Sequence, residues 1–260
     1  MKKLPIMNLL LLGCIIWIAG CNNTPSCFEV SFSDANLEQF VRIALGEFET
    51  DTAITNCILQ DIETISTAEY VPIPEGSQIK DLSGIEHLIN VTKISLSFND
   101  IQDLSPLKNL TKLESLHLSQ NEITDLTPLA NLKNLKKLFI SANDVEDIGP
   151  LAQMEQLEWL ILIENQIKDI TPLDNLVNLT LLRLNQNQID DLSPLKALKN
   201  LNELNVSHNQ IQDIDTVIEM SEAGILRATL SLDISDNPLS EQALSVDVPL
   251  LQERNVNITF

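Results

Sequence analysis

Aromatic residues make up only 4% of this 260-residue chain, with a single tyrosine and two tryptophans. A core large enough for a folded domain must therefore be aliphatic, drawn from the residues that bring the hydrophobic fraction to 44%. Glycine (7) and proline (11) are scarce, which excludes collagen-like and low-complexity chains. Basic residues are short as well: 16 Lys and Arg stand against 37 Asp and Glu, a formal charge of −21. A body that acidic is repelled by phosphate backbones and anionic headgroups. Nucleic acid is thus not an expected partner, and membrane attachment has to come from something other than charge. Most of the acidity is accounted for by a solvated surface.

What is present begins with an export signal over residues 1–20: Lys2 and Lys3, then an apolar run from Leu9 to Ile18 interrupted only by Gly13 and Cys14. The run closes on Ile18-Ala19-Gly20-Cys21, which resembles the bacterial lipoprotein signal, in which a cysteine is acylated and becomes the new N-terminus. Cys21 is the expected lipidation site and residues 21–27 the lipidated tether. An uncleaved signal anchor is the alternative, since about 17 apolar residues sits at the lower limit for spanning a bilayer. Cleavage removes two lysines and no acid, leaving 14 basic against 37 acidic residues, or −23. Of the four cysteines, Cys27 and Cys57 then remain, as a disulfide pair in an oxidising compartment or as two separate buried thiols. With no histidine near them they fall short of a metal-ligand set.

From Ile79 the chain repeats every 22 residues in the form IxDLxPLxxLxxLxxLxLxxNx, and such self-similarity decides the fold. Asn99, Asn121, Asn143, Asn165, Asn187 and Asn209 fall one period apart. Asn237 follows after 28 residues, so the last repeat carries a six-residue insertion between Val217 and Thr229. Pro106, Pro128, Pro150, Pro172 and Pro194 share one position, where the end repeats have Gly84 and Thr216. Within LxxLxLxxN, apolar and polar residues alternate, the mark of a short strand with one buried face. Leu116 and Leu118 point in; Ser115, His117 and Ser119 point out. Seven such strands stack into a parallel sheet on the concave side of an arc, so the expected fold is an α/β solenoid of seven repeats over residues 79–239.

Each repeat asparagine is expected to bond backbone groups that a buried turn leaves unpaired. In the return segment an Asp precedes a Ser or Thr by two residues and the Pro by three, which suits a short helical turn capped by an Asp, Ser or Thr oxygen. Asp81, Asp103, Asp125, Asp147, Asp169, Asp191 and Asp213 form a second ladder. One carboxylate per repeat is far from the roughly six to eight oxygens calcium takes, so no metal is expected there.

A solenoid needs caps on its apolar ends. Residues 28–78 are expected to form the N-terminal one, with Asp34 as N-cap of a helix that buries Leu37, Phe40, Val41, Ala44 and Leu45 and ends at Gly46. A second short helix within 47–62 starts at Thr55 and turns Ile58, Leu59 and Ile62 inward. Residues 240–260 are expected to close the other end with a helix around Gln242–Arg254 and a strand at Val256–Phe260.

These residues resemble the internalin-like leucine-rich repeats of bacterial surface proteins, over essentially all of Phe28 to Phe260. The resemblance rests on the 22-residue unit with its proline, as in Ile123-Thr124-Asp125-Leu126-Thr127-Pro128-Leu129, and on the cap stretches Asp34-Ala35-Asn36-Leu37-Glu38, Val41-Arg42-Ile43-Ala44-Leu45-Gly46 and Asn237-Pro238-Leu239-Ser240. It implies a right-handed horseshoe displayed outside the cytoplasm that binds a protein ligand, of a host or of the envelope, through its concave face. Neither a wall-sorting tail nor an adhesive domain follows the repeats here, so a stripped, lipid-anchored version is expected. A role within the cell's own envelope is as open as a host-facing one.

The concave positions follow from the period. Serine dominates the outer repeats, whereas the middle ones present Phe139, Trp159, Ile161, Ile163 and Leu181, which strands about 4.8 Å apart would merge into one patch. Five large apolar side chains sent to solvent together, on the order of 500 Å², call for an explanation that single ones do not. With Lys137 and Arg183 at their rim they are the expected ligand-binding residues. Self-association through the same face and a local register shift that buries some of them are the two bland alternatives; otherwise a monomer is expected.

An enzyme is not expected. Histidine occurs three times, and His117 and His208 lie four repeats apart, roughly 20 Å at the strand spacing. No phosphate loop or nucleophile elbow is present, and no cofactor is implied. An intracellular phosphatase-type regulator uses a similar repeat, but the export signal argues against it. A purely structural envelope role is the remaining alternative.

Overall fold

The structure, a computed structural model, describes residues 26–46, 52–66, 76–226 and 230–260. The export signal, Cys21 and most of the tether lie outside the described residues. One parallel sheet of nine strands runs the length of the molecule in strict sequence order. β2 (Lys93–Ser95), β3 (Ser115–His117), β4 (Lys137–Phe139), β5 (Trp159–Ile161), β6 (Leu181–Arg183), β7 (Glu203–Asn205) and β8 (Ser231–Asp233) come from the seven repeats. Their register keeps equivalent positions side by side, so Leu116, Leu138, Leu160 and Leu182 stack into a buried column. The molecule is a right-handed horseshoe, each coil burying its leucines against the next because one repeat alone has no partner for its apolar face.

The sheet has two more strands than repeats. β9 (Asn257–Thr259) was expected in the closing segment; β1 (Thr64–Ser66), in the N-terminal cap, was not. β1 is only three residues long, too short for alternation to register, and it forms because the edge of β2 offers unpaired backbone groups. Its one inward residue, Ile65, is buried.

The asparagine ladder is built as expected. Asn165 Oδ1 accepts the Val145 N–H at 3.0 Å, and its Nδ2 donates to Ile140 O at 2.9 Å in the previous coil and to Leu162 O in its own. The same set recurs at Asn121, Asn143, Asn187 and Asn209. The residue before each ladder asparagine has φ between 53° and 65°, from Phe98 through Ala142 and Glu164 to Asp236. Six residue types fill that position over seven repeats, so nothing in the period marked a left-handed turn.

The return segments form 3₁₀ turns, with the proline inside the first turn, where its missing N–H costs nothing. The aspartate accepts the N–H two residues on: Asp125 Oδ1 from Thr127 at 2.7 Å, and likewise at Asp81, Asp103, Asp147, Asp169 and Asp191. Gly84 replaces the proline for a reason of space. Its φ is +104°, which proline cannot adopt, and a Cβ there would lie 2.6 Å from the Phe32 ring that packs down from the cap. In the last repeat the turn becomes helix α3 (Asp215–Glu222), which begins two residues before the expected start of the insertion.

Helix α1 (Ala35–Leu45) is capped by Asp34, whose Oδ1 accepts from Asn36 and Leu37 while Oδ2 accepts the Lys80 N–H at 2.8 Å, tying the cap to the first repeat. Leu37 and Val41 are fully buried and Phe40 and Leu45 partly so, but Ala44 is exposed. The buried stripe is narrower than the pattern suggested at Ala44, and it is extended on its other side by buried Arg42, held by Glu38 and the Thr52 carbonyl. Helix α2 (Asn56–Leu59) follows Thr55, and a Cys27–Cys57 disulfide with Cα atoms 5.5 Å apart joins it to the first described residues. At the far end a π-turn (Ala243–Asp247) runs into α4 (Val248–Glu253). Pro249 explains the widening: it has no N–H for the carbonyl four residues back, and its ring crowds that carbonyl.

Candidate functional site: the concave face

Concave side chains form three rows across the sheet. The first holds Lys93, Ser115, Lys137, Trp159, Leu181 and Glu203; the second Ser95, His117, Phe139, Ile161, Arg183 and Asn205. The third, one step past the strands, runs Ser97, Ser119, Ser141, Ile163, Asn185 and Ser207. Leu160 and Leu162 are fully buried, so Trp159, Ile161 and Ile163 between and beside them face out. That removes the register shift as an account of the apolar block.

The block is less open than five free side chains would be. Trp159 is 36% exposed, while Phe139, Ile161, Ile163 and Leu181 are half-buried against one another and their cross-strand neighbours. Phe139 and Trp159 meet edge to face with centroids 6.5 Å apart, and Lys137 Nζ sits 3.9 Å from the centroid of the Trp159 ring. Arg183 pairs with Glu203 through Nε, so of the two expected rim cations one is neutralised within the protein and the other lies on the tryptophan.

The period did not single out His117 and Ser115. His117 is the register partner of Phe139, their ring centroids 4.1 Å apart, and Ser115 Oγ lies 3.0 Å from His117 Nε2. The aromatic block therefore begins one repeat earlier than the large apolar residues alone suggested. Extending the second row by one strand in the sequence would have found it.

The His117–Phe139 pair forms a ridge between two clefts. One, of about 420 Å³, lies over the first row and is lined by Lys93, Ser115, Lys136, Lys137, Trp159 and Glu114 besides the ridge. The other, of about 280 Å³, lies over the third row against Ser119, Ser141, Ala142 and Ile163, with Glu164 at its edge. Lys136 is bound to Glu114 at 2.8 Å, and that carboxylate raises the lysine pKa above its ordinary value. A sheet carrying an aromatic ridge, aliphatic flanks and two clefts that differ in the charge of their lining is suited to grip another surface.

Among the described residues no helix is long and apolar enough to cross a membrane.

The family model for leucine-rich repeats in two copies matches residues 89–131, 111–153, 155–197 and 177–219, together half of the chain. No curated protein matches it in sequence. Among solved structures it is similar to internalin C2 from Listeria monocytogenes, at 29% identity and a TM-score of 0.71, over 88% of this chain and 92% of that one. The functional domain of InlJ from the same organism shares the fold, at 23% identity and a TM-score of 0.59, over 88% and 54% of the two chains. The leucine-rich-repeat ectodomain of the Arabidopsis thaliana membrane receptor kinase GASSHO1/SCHENGEN3, solved in complex with Casparian strip integrity factor 2, is 26% identical over 62% of this chain and 20% of that one, with a TM-score of 0.54.

Proposed function

This chain belongs to the leucine-rich repeat family, as an internalin-like member, and we propose that it is an exported, lipid-anchored module that holds a protein ligand on its concave face and carries out no catalysis. The observation that carries the reading is the continuous block of His117, Phe139, Trp159, Ile161, Ile163 and Leu181 at the middle of that face, where the outer repeats present serine. A contiguous apolar and aromatic patch on a solvent-facing sheet marks an interaction surface where scattered single residues do not, and an aromatic centre with polar margins is the usual composition of a binding hot spot. The related receptor ectodomain, solved with a bound partner, supports a partner here.

Acylation of Cys21 would place the cap end nearest the membrane. The five residues Asn22 to Ser26 span at most about 18 Å when extended. Beyond them Cys27 is fixed to Cys57, and the Val30 N–H bonds the Ile54 carbonyl. A ligand within the same envelope is then as accessible as a host surface.

The test is retention of envelope and surface proteins by the purified chain, beside a Trp159→Ser, Ile161→Asp variant matched for folding by circular dichroism. A partner held by the parent and lost from the variant supports the reading; a partner held equally by both, or by neither, contradicts it. Mass spectrometry of the N-terminal peptide, compared with a Cys21→Ser variant, tests the lipid separately.

A further inference from the structure

We infer that the ligand presents an acidic side chain to the lysine cleft and an apolar side chain to the serine-lined cleft on the other side of the His117–Phe139 ridge. The inference rests on the concave-face reading and names the chemistry of the partner.

The whole chain has 16 basic residues against 37 acidic ones, yet Lys137 stands in one cleft beside the Lys136–Glu114 ion pair. Its positive charge is not cancelled by that pair, in a strongly negative body. Lys137 has no acidic partner among the described residues; its ammonium rests on the Trp159 ring, and both side chains line the cleft. Elsewhere along the face the charges are answered within the protein: Arg183 by Glu203, and Asp233 by Asn205 and Ser235. An anion brought beside Trp159 is therefore attracted at this one place on the face, and low-dielectric aromatic walls strengthen that attraction.

The second cleft has the opposite preference. Phe139, Ala142 and Ile163 line it together with serines, and Glu164 at its edge repels a second acid. Its lining residues centre four positions further along the strands than those of the lysine cleft, about 13 Å at roughly 3.3 Å per residue. In an extended ligand segment lying along the strands, residues i and i+4 on the same face span that distance. The recognised element is an acid and an aromatic or large aliphatic residue four apart, in either chain direction.

The probe is a displayed library of random nine-residue peptides, selected on the full chain in detergent micelles and, in parallel, on Trp159→Ser and on Lys136→Gln with Lys137→Gln. Selection on the parent is expected to enrich Asp or Glu four positions from an apolar residue. Trp159→Ser should lower capture at least tenfold, and the lysine double variant should abolish the preference for Asp and Glu over Asn and Gln while keeping the apolar preference. Failure to enrich any sequence, enrichment without an acid, or an acid preference that survives the lysine changes overturns the inference. If the acid preference is missing but capture still depends on Trp159, only this inference fails; capture indifferent to Trp159 sinks the concave-face reading as well.

Discussion

Lys137 and Trp159 are register partners on β4 and β5, and the lysine ammonium nitrogen lies 3.9 Å from the centroid of the indole ring. The contact fixes the orientation of the most exposed aromatic residue on the concave face. Such a contact at an exposed site is worth about 0.5–1 kcal/mol. A double-mutant cycle in urea with Lys137→Gln and Trp159→Leu should return a coupling energy of that size; a coupling near zero would mean the pair is adjacent without being attracted.

The asparagine ladder should be far less tolerant than the concave face. Asn165→Ala leaves the Val145 N–H unpaired in a buried turn and takes one of its two donors from the Ile140 carbonyl, which keeps Asn143 Nδ2. One orphaned group costs about 1–3 kcal/mol, so the variant should lose an unfolding free energy of that order. Denaturant titration checks it, and a loss below about 0.5 kcal/mol would show that water satisfies that N–H.

The Cys27–Cys57 bridge closes a loop with a sequence separation of 30. Chain-entropy arguments assign about 3–4 kcal/mol to a loop of that length. Cys57→Ser should lower stability by that order, and hydrogen exchange should speed up first in α1 and the 52–66 segment while the central coils stay protected.

Acid should weaken the return turns. Asp81, Asp125 and Asp169 sit below the ordinary carboxylate range, first through the hydroxyls of Ser83, Thr127 and Thr171 and then through the backbone N–H groups of the same residues. For Asp191 the Ser193 N–H comes first. A carboxyl whose folded pKa is depressed adds stability that is present above its unfolded value of about 4 and is lost as pH falls through the folded value. These groups are exposed, so solvent screens each contribution to a small one. The urea midpoint of the parent should exceed that of Asp125→Asn with Asp169→Asn at neutral pH, and the gap should narrow as the pH falls below the ordinary carboxylate value. A gap that widens in acid would reverse the assignment.

The legible and illegible parts of this molecule divide along one line. Whatever recurs every 22 residues was readable: the leucine column, the asparagine ladder, the proline turn, and the outward placement of Trp159, Ile161 and Ile163. Features without a fixed residue type were not. The left-handed position before each asparagine is filled by Phe98, Gln120, Ala142, Glu164, Gln186 and His208 in turn, so composition carries no trace of it. β1 is recruited by the edge of its neighbour and not by its own three residues. Ala44 reads as part of an apolar stripe yet is exposed, while Arg42, a cation that the apolar pattern leaves out, is buried through its bonds to Glu38 and the Thr52 carbonyl. Within the site, His117 is not a large apolar side chain, and its importance lies in the ring it meets across the strand gap.

The most direct test places a photo-reactive amino acid at position 161 on the concave face, or at position 131 on an exposed return turn, in cells that export the chain. The account predicts a discrete protein adduct from position 161 and none from position 131. An adduct from position 131 alone, or none from either, would contradict it.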